Sequence, residues 1–274
     1  MSKSLIKSYL KVSLLFIVFL ALFICSIAKD YFKTGIGVTG DFASLWYWNF
    51  LLIGFIAIFY ILKIHKFYLR DFFTSIAFGI IVSLYSGFNP IITPIIVFSY
   101  YAACCIFRQY NSQKIFICEF TKSFKFIGFG ILVGIIPAIF NLIEFYIQDG
   151  YKFNPVNLSG VLPAAMSALQ PGIGEEIVFR FFLYAFIVNA FKGEMPKTKF
   201  VSIMTYILLI LPHCWMHYPP LNFINEPILT ILNLAYMCLV FGVPAVWLMK
   251  NKNLYSAISF HWFIDFIRFC IVGH

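Results

Sequence analysis

Nine apolar runs of 15 to 23 residues recur along this 274-residue chain, separated by short loops. No other feature limits the fold so strongly. A helix needs about 20 residues to cross roughly 30 Å of bilayer hydrocarbon. Inside that layer each backbone N–H and C=O must be bonded within its own segment, which selects helices. The runs are Tyr9–Ala28, Leu45–Leu62, Phe72–Ser86, Pro90–Phe107, Phe126–Ile147, Glu175–Phe191, Phe200–Met216, Pro227–Met249 and Leu254–Ile271. Between the fifth and sixth lies Asn154–Gly174, punctuated by glycine and proline, which reads as loop, re-entrant segment or broken helix. The expectation is an all-α polytopic membrane protein of eight or nine transmembrane helices, the third being short. Hydrophobic residues make up 62% of the chain, against roughly 45–50% in soluble domains. No Ser/Gly/Pro-rich linker interrupts the pattern, so one integral unit is expected.

The net charge of +9 would suit nucleic acid, but its placement excludes that class of partner. Lys3, Lys7 and Lys11 precede the first run. Lys63, Lys66 and Arg70 fall in the second loop, and Arg108, Lys114, Lys122 and Lys125 in the fourth. Lys192, Lys197 and Lys199 follow the sixth run, and Lys250 and Lys252 precede the last. These fifteen occupy alternate loops, whereas only Lys29, Lys33 and Lys152 fall in the opposite set. That asymmetry is the positive-inside pattern, and it predicts a cytoplasmic N-terminus. The first run has a basic start like a signal peptide but no small-residue cleavage site, so it reads as an uncleaved span. The seven cysteines show no CxxC or metal-finger spacing, and no disulfide framework is expected. The 35 Phe and 16 Tyr read as lipid-facing bulk and interfacial belt.

Only 11% of the chain is charged, which makes the carboxylates in the apolar runs conspicuous. An ionisable side chain at membrane depth costs several kcal/mol, roughly +2.5 to +3.5 by the lower scales, and marks a functional site by default. Residues 174–180 read Gly-Glu-Glu-Ile-Val-Phe-Arg. The next run carries His213 and His217, and the last carries His261 and Asp265, each pair at i and i+4 and so on one helix face. Glu144 is a further candidate near the end of the fifth run. Glu176 and Arg180 are also four apart and suited to an ion pair. Glu175 points about 100° away on an α-helix. It is left to face a different partner, and it is placed just after Pro171-Gly172, near the positive end of its helix. A carboxylate beside histidine is equipped to activate water. At 1.5 Å per residue, Glu175 lies about 25 Å from Lys192, and His213 and His217 lie about 21 and 27 Å from Lys199. His261 lies only about 14 Å from Lys252, so convergence needs a tilted last helix or a broken sixth.

These residues resemble the CAAX prenyl endopeptidase and bacteriocin-processing membrane protease family (the CPBP or Abi family), whose pattern is EExxxR, FxxxH and HxxxN or HxxxD on three parts of a helical core. The first motif is Glu175-Glu176-Ile-Val-Phe-Arg180 and the third is His261-Trp-Phe-Ile-Asp265. The second departs from it, because Leu209 precedes His213 by four and His213 precedes His217 by four. His217 is favoured, since Tyr-Pro-Pro follows it as in the family, and His213 is the fallback. The resemblance covers roughly residues 160–272. It divides the chain into N-terminal transmembrane helices, 1–150, and a CAAX-protease-like core, 151–274.

The resemblance implies an intramembrane endopeptidase that cleaves a membrane-presented peptide or protein. In it Glu175 and the second-motif histidine activate water, Glu176 and Arg180 hold the geometry, and His261 and Asp265 stabilise the tetrahedral oxyanion or orient its donors. No cofactor is required on this reading. If zinc binds, Glu175, His217 and His261 are its expected ligands. The partners implied are the substrate and the lipid bilayer, and the compact build suggests a bacterial cell membrane. The alternative is a non-proteolytic immunity or regulatory relative that binds a peptide or protein partner. A transporter would also place such groups at midplane, but usually with internal repeats, and the sequence has none that is visible. Structural pairs are the plainer alternative for Glu176–Arg180 and Asp265–Arg268, and His213 beside Pro212 is suited to bonding a freed carbonyl.

Overall fold

The computed structural model describes residues 3–34, 42–63, 66–110, 120–149 and 158–272. His65, Lys114, Cys118, Lys152, His274 and the first residues of the Asn154–Gly174 stretch lie outside the described residues. All regular structure among the described residues is helical. The first half consists of α1 (Lys3–Thr34), α2 (Phe42–Ile61), α3 (Leu69–Ser86), α4 (Ile92–Gln109) and α5 (Phe120–Asp149). Next, α6 (Leu158–Ser167) passes through a turn at Ala168 into a π-helical segment, Gln170–Phe182, which α7 (Leu183–Ala190) continues. α8 (Lys199–Cys214) ends in a 3-10 turn, Trp215–His217, and a short α9 (Asn222–Asn225) follows. α10 (Pro227–Met237), a π turn at Cys238–Gly242 and α11 (Val243–Asn251) form one long run before α12 (Leu254–Ile271).

Six of these runs are long and apolar enough to cross a membrane: Lys3–Phe32, Ile92–Gln109, Phe124–Ile147, Lys199–His217, Pro227–Asn251 and Leu254–Ile271. The chain is an integral, multi-pass, all-α membrane protein. Leu45–Ile61 is apolar but shorter, α3 begins with Arg70-Asp71, and the run through residues 158–190 is broken at Ala168. The stretch that the sequence leaves as loop, re-entrant segment or broken helix is, from Leu158 onward, a broken helix.

Packing is concentric around the π-helical segment, whose residues 172–182 are all buried. It contacts α12, α4, α8, α3 and α2. The window of α4 is 67% buried, whereas that of α10–α11 is 17% buried and faces outward. Phe179, Phe181 and Phe182 lie in the core together with Phe19, Phe50 and Phe107. Part of the aromatic content is therefore core packing, because wide aromatic side chains fill the spaces between packed helices, while others such as Phe32, Phe55 and Phe124 are exposed on the outer faces.

Local signals explain the helix ends that matter. Thr198 caps α8 by accepting from the Val201 N–H at 3.2 Å. Asn253 opens α12 with a reciprocal capping box, accepting from Ser256 N–H at 3.0 Å. α7 ends where Gly193 adopts φ +81°, which costs glycine little, and its N–H bonds Val188 C=O at 2.9 Å.

Candidate active site

The π-helical segment sets the directions of its side chains. Its i→i+5 bonds widen the turn relative to an α-helix. Successive side chains are therefore separated by less than the α-helical 100°, and neighbouring Glu175 and Glu176 both point into one site. Glu175, Glu176 and Arg180 are all buried, and Arg180 is the largest fully buried side chain among the described residues. The Arg180 guanidinium pairs with Glu176 Oε1, so the i,i+4 relation of the two residues holds in space. Glu175 does not begin its helix. The segment starts at Gln170 after α6 and a one-residue break, so no free helix N-terminus addresses this carboxylate.

α8 supplies both second-motif histidines. The buried His213 directs Nε2 to Glu175 Oε2 in a direct hydrogen bond, and its Nδ1 lies 3.1 Å from Arg180 NH2. Arginine only donates, so Nδ1 of His213 is an acceptor and the proton sits on Nε2, donating to Glu175. Neither ring nitrogen is turned to a backbone carbonyl, although Pro212 precedes it. His217 sits on the 3-10 turn, with Nε2 3.8 Å from Glu175 Oε2 and 3.4 Å from His213 Nε2. Its side chain is 25% exposed, against 4% for His213, so of the two it is the more open to the cavity.

α12 supplies the third group. His261 Nδ1 donates to Glu176 Oε1 at 2.8 Å, while Nε2 lies 3.4 Å from Asp265 Oδ2 and 3.8 Å from Glu175 Oε2. Arg268 approaches the other oxygen of Asp265 at 3.5 Å. Gly172 permits this approach, since a Cβ there would lie 2.9 Å from the Cα of Trp262, beside His261. Trp262 Nε1–H also bonds the Ala165 carbonyl at 2.9 Å, tying α12 to the end of α6. All six motif residues singled out in the sequence, together with His213, line one cavity of about 1140 Å³.

The first half of the chain contributes side chains that sequence reasoning missed. The Trp46 ring meets His217 edge-on at 5.6 Å and stacks on Phe50 at 5.5 Å. Phe50 abuts Phe179, which in turn packs on His213 at 5.5 Å. An aromatic chain from α2 thus backs both histidines. The residue types carry a signal, but 20% aromatic content hides it. Asn141 and Glu144 of α5, and Thr230 and Asn233 of α10, form part of the far wall. Tyr218, just past the α8 span, has its phenol pushed well up, first by burial and then by the Glu144 charge, so it stays protonated at that wall.

Among the described residues, one group of three metal-capable donors gathers within 4.8 Å: Glu175, His213 and His217. His261 stands outside it. A histidine bound to zinc through Nε2 ordinarily donates Nδ1–H to an acceptor. The Nδ1 of His213 instead faces the Arg180 donor, so this donor set, as arranged, does not fit zinc.

Residues 157–267 match the family model described as type II CAAX prenyl endopeptidase Rce1-like. Comparison with curated proteins and with solved structures finds no match for the chain.

Proposed function

We propose that the chain is an intramembrane endopeptidase in which Glu175 activates the attacking water, a reading supported by the match of residues 157–267 to the Rce1-like type II CAAX prenyl endopeptidase model. The observation that carries this is the convergence of His213, His217 and His261 on one buried carboxylate that is not the partner of Arg180. The Nε2–H of His213 locks the orientation of the Glu175 carboxylate. His217 Nε2, at 3.8 Å, is too far for a direct bond to Glu175, and one water can reach both atoms off the line between them. Glu175 takes the water proton as oxygen attacks the scissile carbonyl, and returns it to the leaving amine. The C–N bond breaks after the C–O bond has formed. His261 acts as the doubly protonated ring, its Nδ1–H held by Glu176 and its Nε2 beside Asp265, and Nε2–H is the donor for the developing oxyanion, a role worth about 3–4 kcal/mol in comparable sites.

No step needs a metal. The Arg180–His213 contact supports that reading, since it leaves the metal-facing nitrogen of His213 protonated. The substrate is a peptide or protein presented by the bilayer, with the basic loops and the N-terminus on the cytoplasmic side. Glu175→Gln keeps the shape and removes the base. It should abolish cleavage of a quenched-fluorescence peptide in proteoliposomes while leaving the melting temperature within a few degrees of the parent. Wild-type cleavage by Glu175→Gln overturns Glu175 as the base, and a parent protein that binds the peptide without cleaving it leaves peptide binding without hydrolysis as the function.

A further inference from the structure

The wall of the cavity opposite Glu175 comes from α5 and α10, both poorly covered by other helices. Their outward faces are apolar and exposed: Ile139, Ile143 and Ile147 on α5, and Ile228, Ile231 and Leu232 on α10. Their inward faces are polar, with Asn141 on one and Asn233 on the other lining the same cavity. Both lie within the full-length apolar spans Phe124–Ile147 and Pro227–Asn251. Among the described residues neither carboxamide has a hydrogen-bond partner, and both are partly accessible from the cavity. Thr230, by contrast, is satisfied within the protein, donating to Asn222 C=O at 3.0 Å.

A polar side chain at membrane depth without a partner is costly, and such groups face a bundle interior or a pathway. A carboxamide offers two donors and one acceptor, the complement of a peptide bond, which offers one of each. An isoprenyl or acyl chain has nothing to give it. The two amides, on different helices, line the same cavity as the candidate base, and one extended chain lying there has free N–H and C=O groups along its edges. We infer that Asn141 and Asn233 form a main-chain clamp that holds the substrate as an extended peptide alongside Glu175. The inference rests on the proteolytic reading for the identity of the ligand, but not on catalysis itself. Because it grips backbone rather than side chains, the clamp tolerates many sequences.

The test uses binding in the Glu175→Gln protein, so that hydrolysis does not interfere. The probe is a dye-labelled ten-residue peptide pool of mixed sequence, read by fluorescence anisotropy in nanodiscs. Asn141→Leu and Asn233→Leu, which keep the number and branching of the side-chain heavy atoms, should each weaken binding by about fivefold, the loss expected for one neutral hydrogen bond. The same pool made with backbone esters in place of amides should bind the parent more weakly and bind the leucine variants with little further change. Thermal stability separates binding from structure: a clamp predicts variants at least as stable as the parent, because an unpaired polar group has been removed. Leucine variants that bind as tightly as the parent, a parent that fails to bind the pool, or variants that melt earlier with binding lost in proportion would each overturn the clamp. Failure of the proteolytic reading looks different: wild-type protein that binds the pool, loses affinity in the leucine variants, and never cuts.

Discussion

Replacing Gly172 by alanine tests whether close contact between the π-helical segment and α12 assembles the site. A Cβ at 172 would lie 2.9 Å from both Cα and Cβ of Trp262 and 3.0 Å from its backbone nitrogen. Ordinary carbon contacts need about 3.5–4.0 Å, so the two helices must part by roughly 0.6–1.1 Å. Trp262 is next to His261, whose Nδ1 sits 2.8 Å from Glu176 Oε1. The same displacement takes that contact to about 3.4 Å or beyond, the edge of a hydrogen bond. Overpacking costs about 1–3 kcal/mol, and removing glycine from a helix interior offsets about 1 kcal/mol. The net destabilisation is therefore roughly 0–2 kcal/mol, whereas a misplacement near 1 Å can cost about a hundredfold in rate. Activity is the sharper readout. In proteoliposomes with a quenched-fluorescence peptide, kcat/KM should fall roughly ten- to a hundredfold, with only a small change in melting temperature. Gly128→Ala is the control, because a Cβ there meets nothing within 4 Å. Full activity and unchanged melting in Gly172→Ala would refute the idea that this contact holds His261 in place.

Trp46→Ala removes the ring that backs His217 and should lower kcat by about tenfold or more, whereas Trp46→Phe, which keeps an edge-on ring, should restore most of it. Measuring both variants at saturating peptide separates this from a binding defect. Asn253→Ala deletes the α12 cap and should cost about 0.5–2 kcal/mol, read as a lower midpoint in thermal unfolding. Incubation with a strong chelator followed by desalting should leave the cleavage rate unchanged; loss of activity that zinc restores would overturn the metal-free mechanism.

Several parts of this arrangement were legible in the residues alone. The apolar runs announce a helical membrane protein because backbone groups in hydrocarbon leave no other choice. The i,i+4 spacing announces the Glu176–Arg180 pair, since helix geometry brings those side chains together whatever surrounds them. Other parts were not legible. Spacing places His213 and His217 on one face but does not say which of them reaches Glu175. Packing gives His213 the direct bond, and the 3-10 turn leaves His217 at 3.8 Å. The π winding is also invisible to a periodicity argument, which assumes 100° per residue and so turns Glu175 further from Glu176 than it stands.

By itself, the sequence determined the fold class, the three polar motifs and the pairing of Glu176 with Arg180, because these follow from local geometry and from the cost of charge in lipid. Tertiary structure alone decided the break at Ala168, the approach of α12 over Gly172, the recruitment of Trp46 from α2, and the two asparagines across the cavity. Those depend on contacts between helices far apart in the chain, and no local spacing encodes which faces will meet.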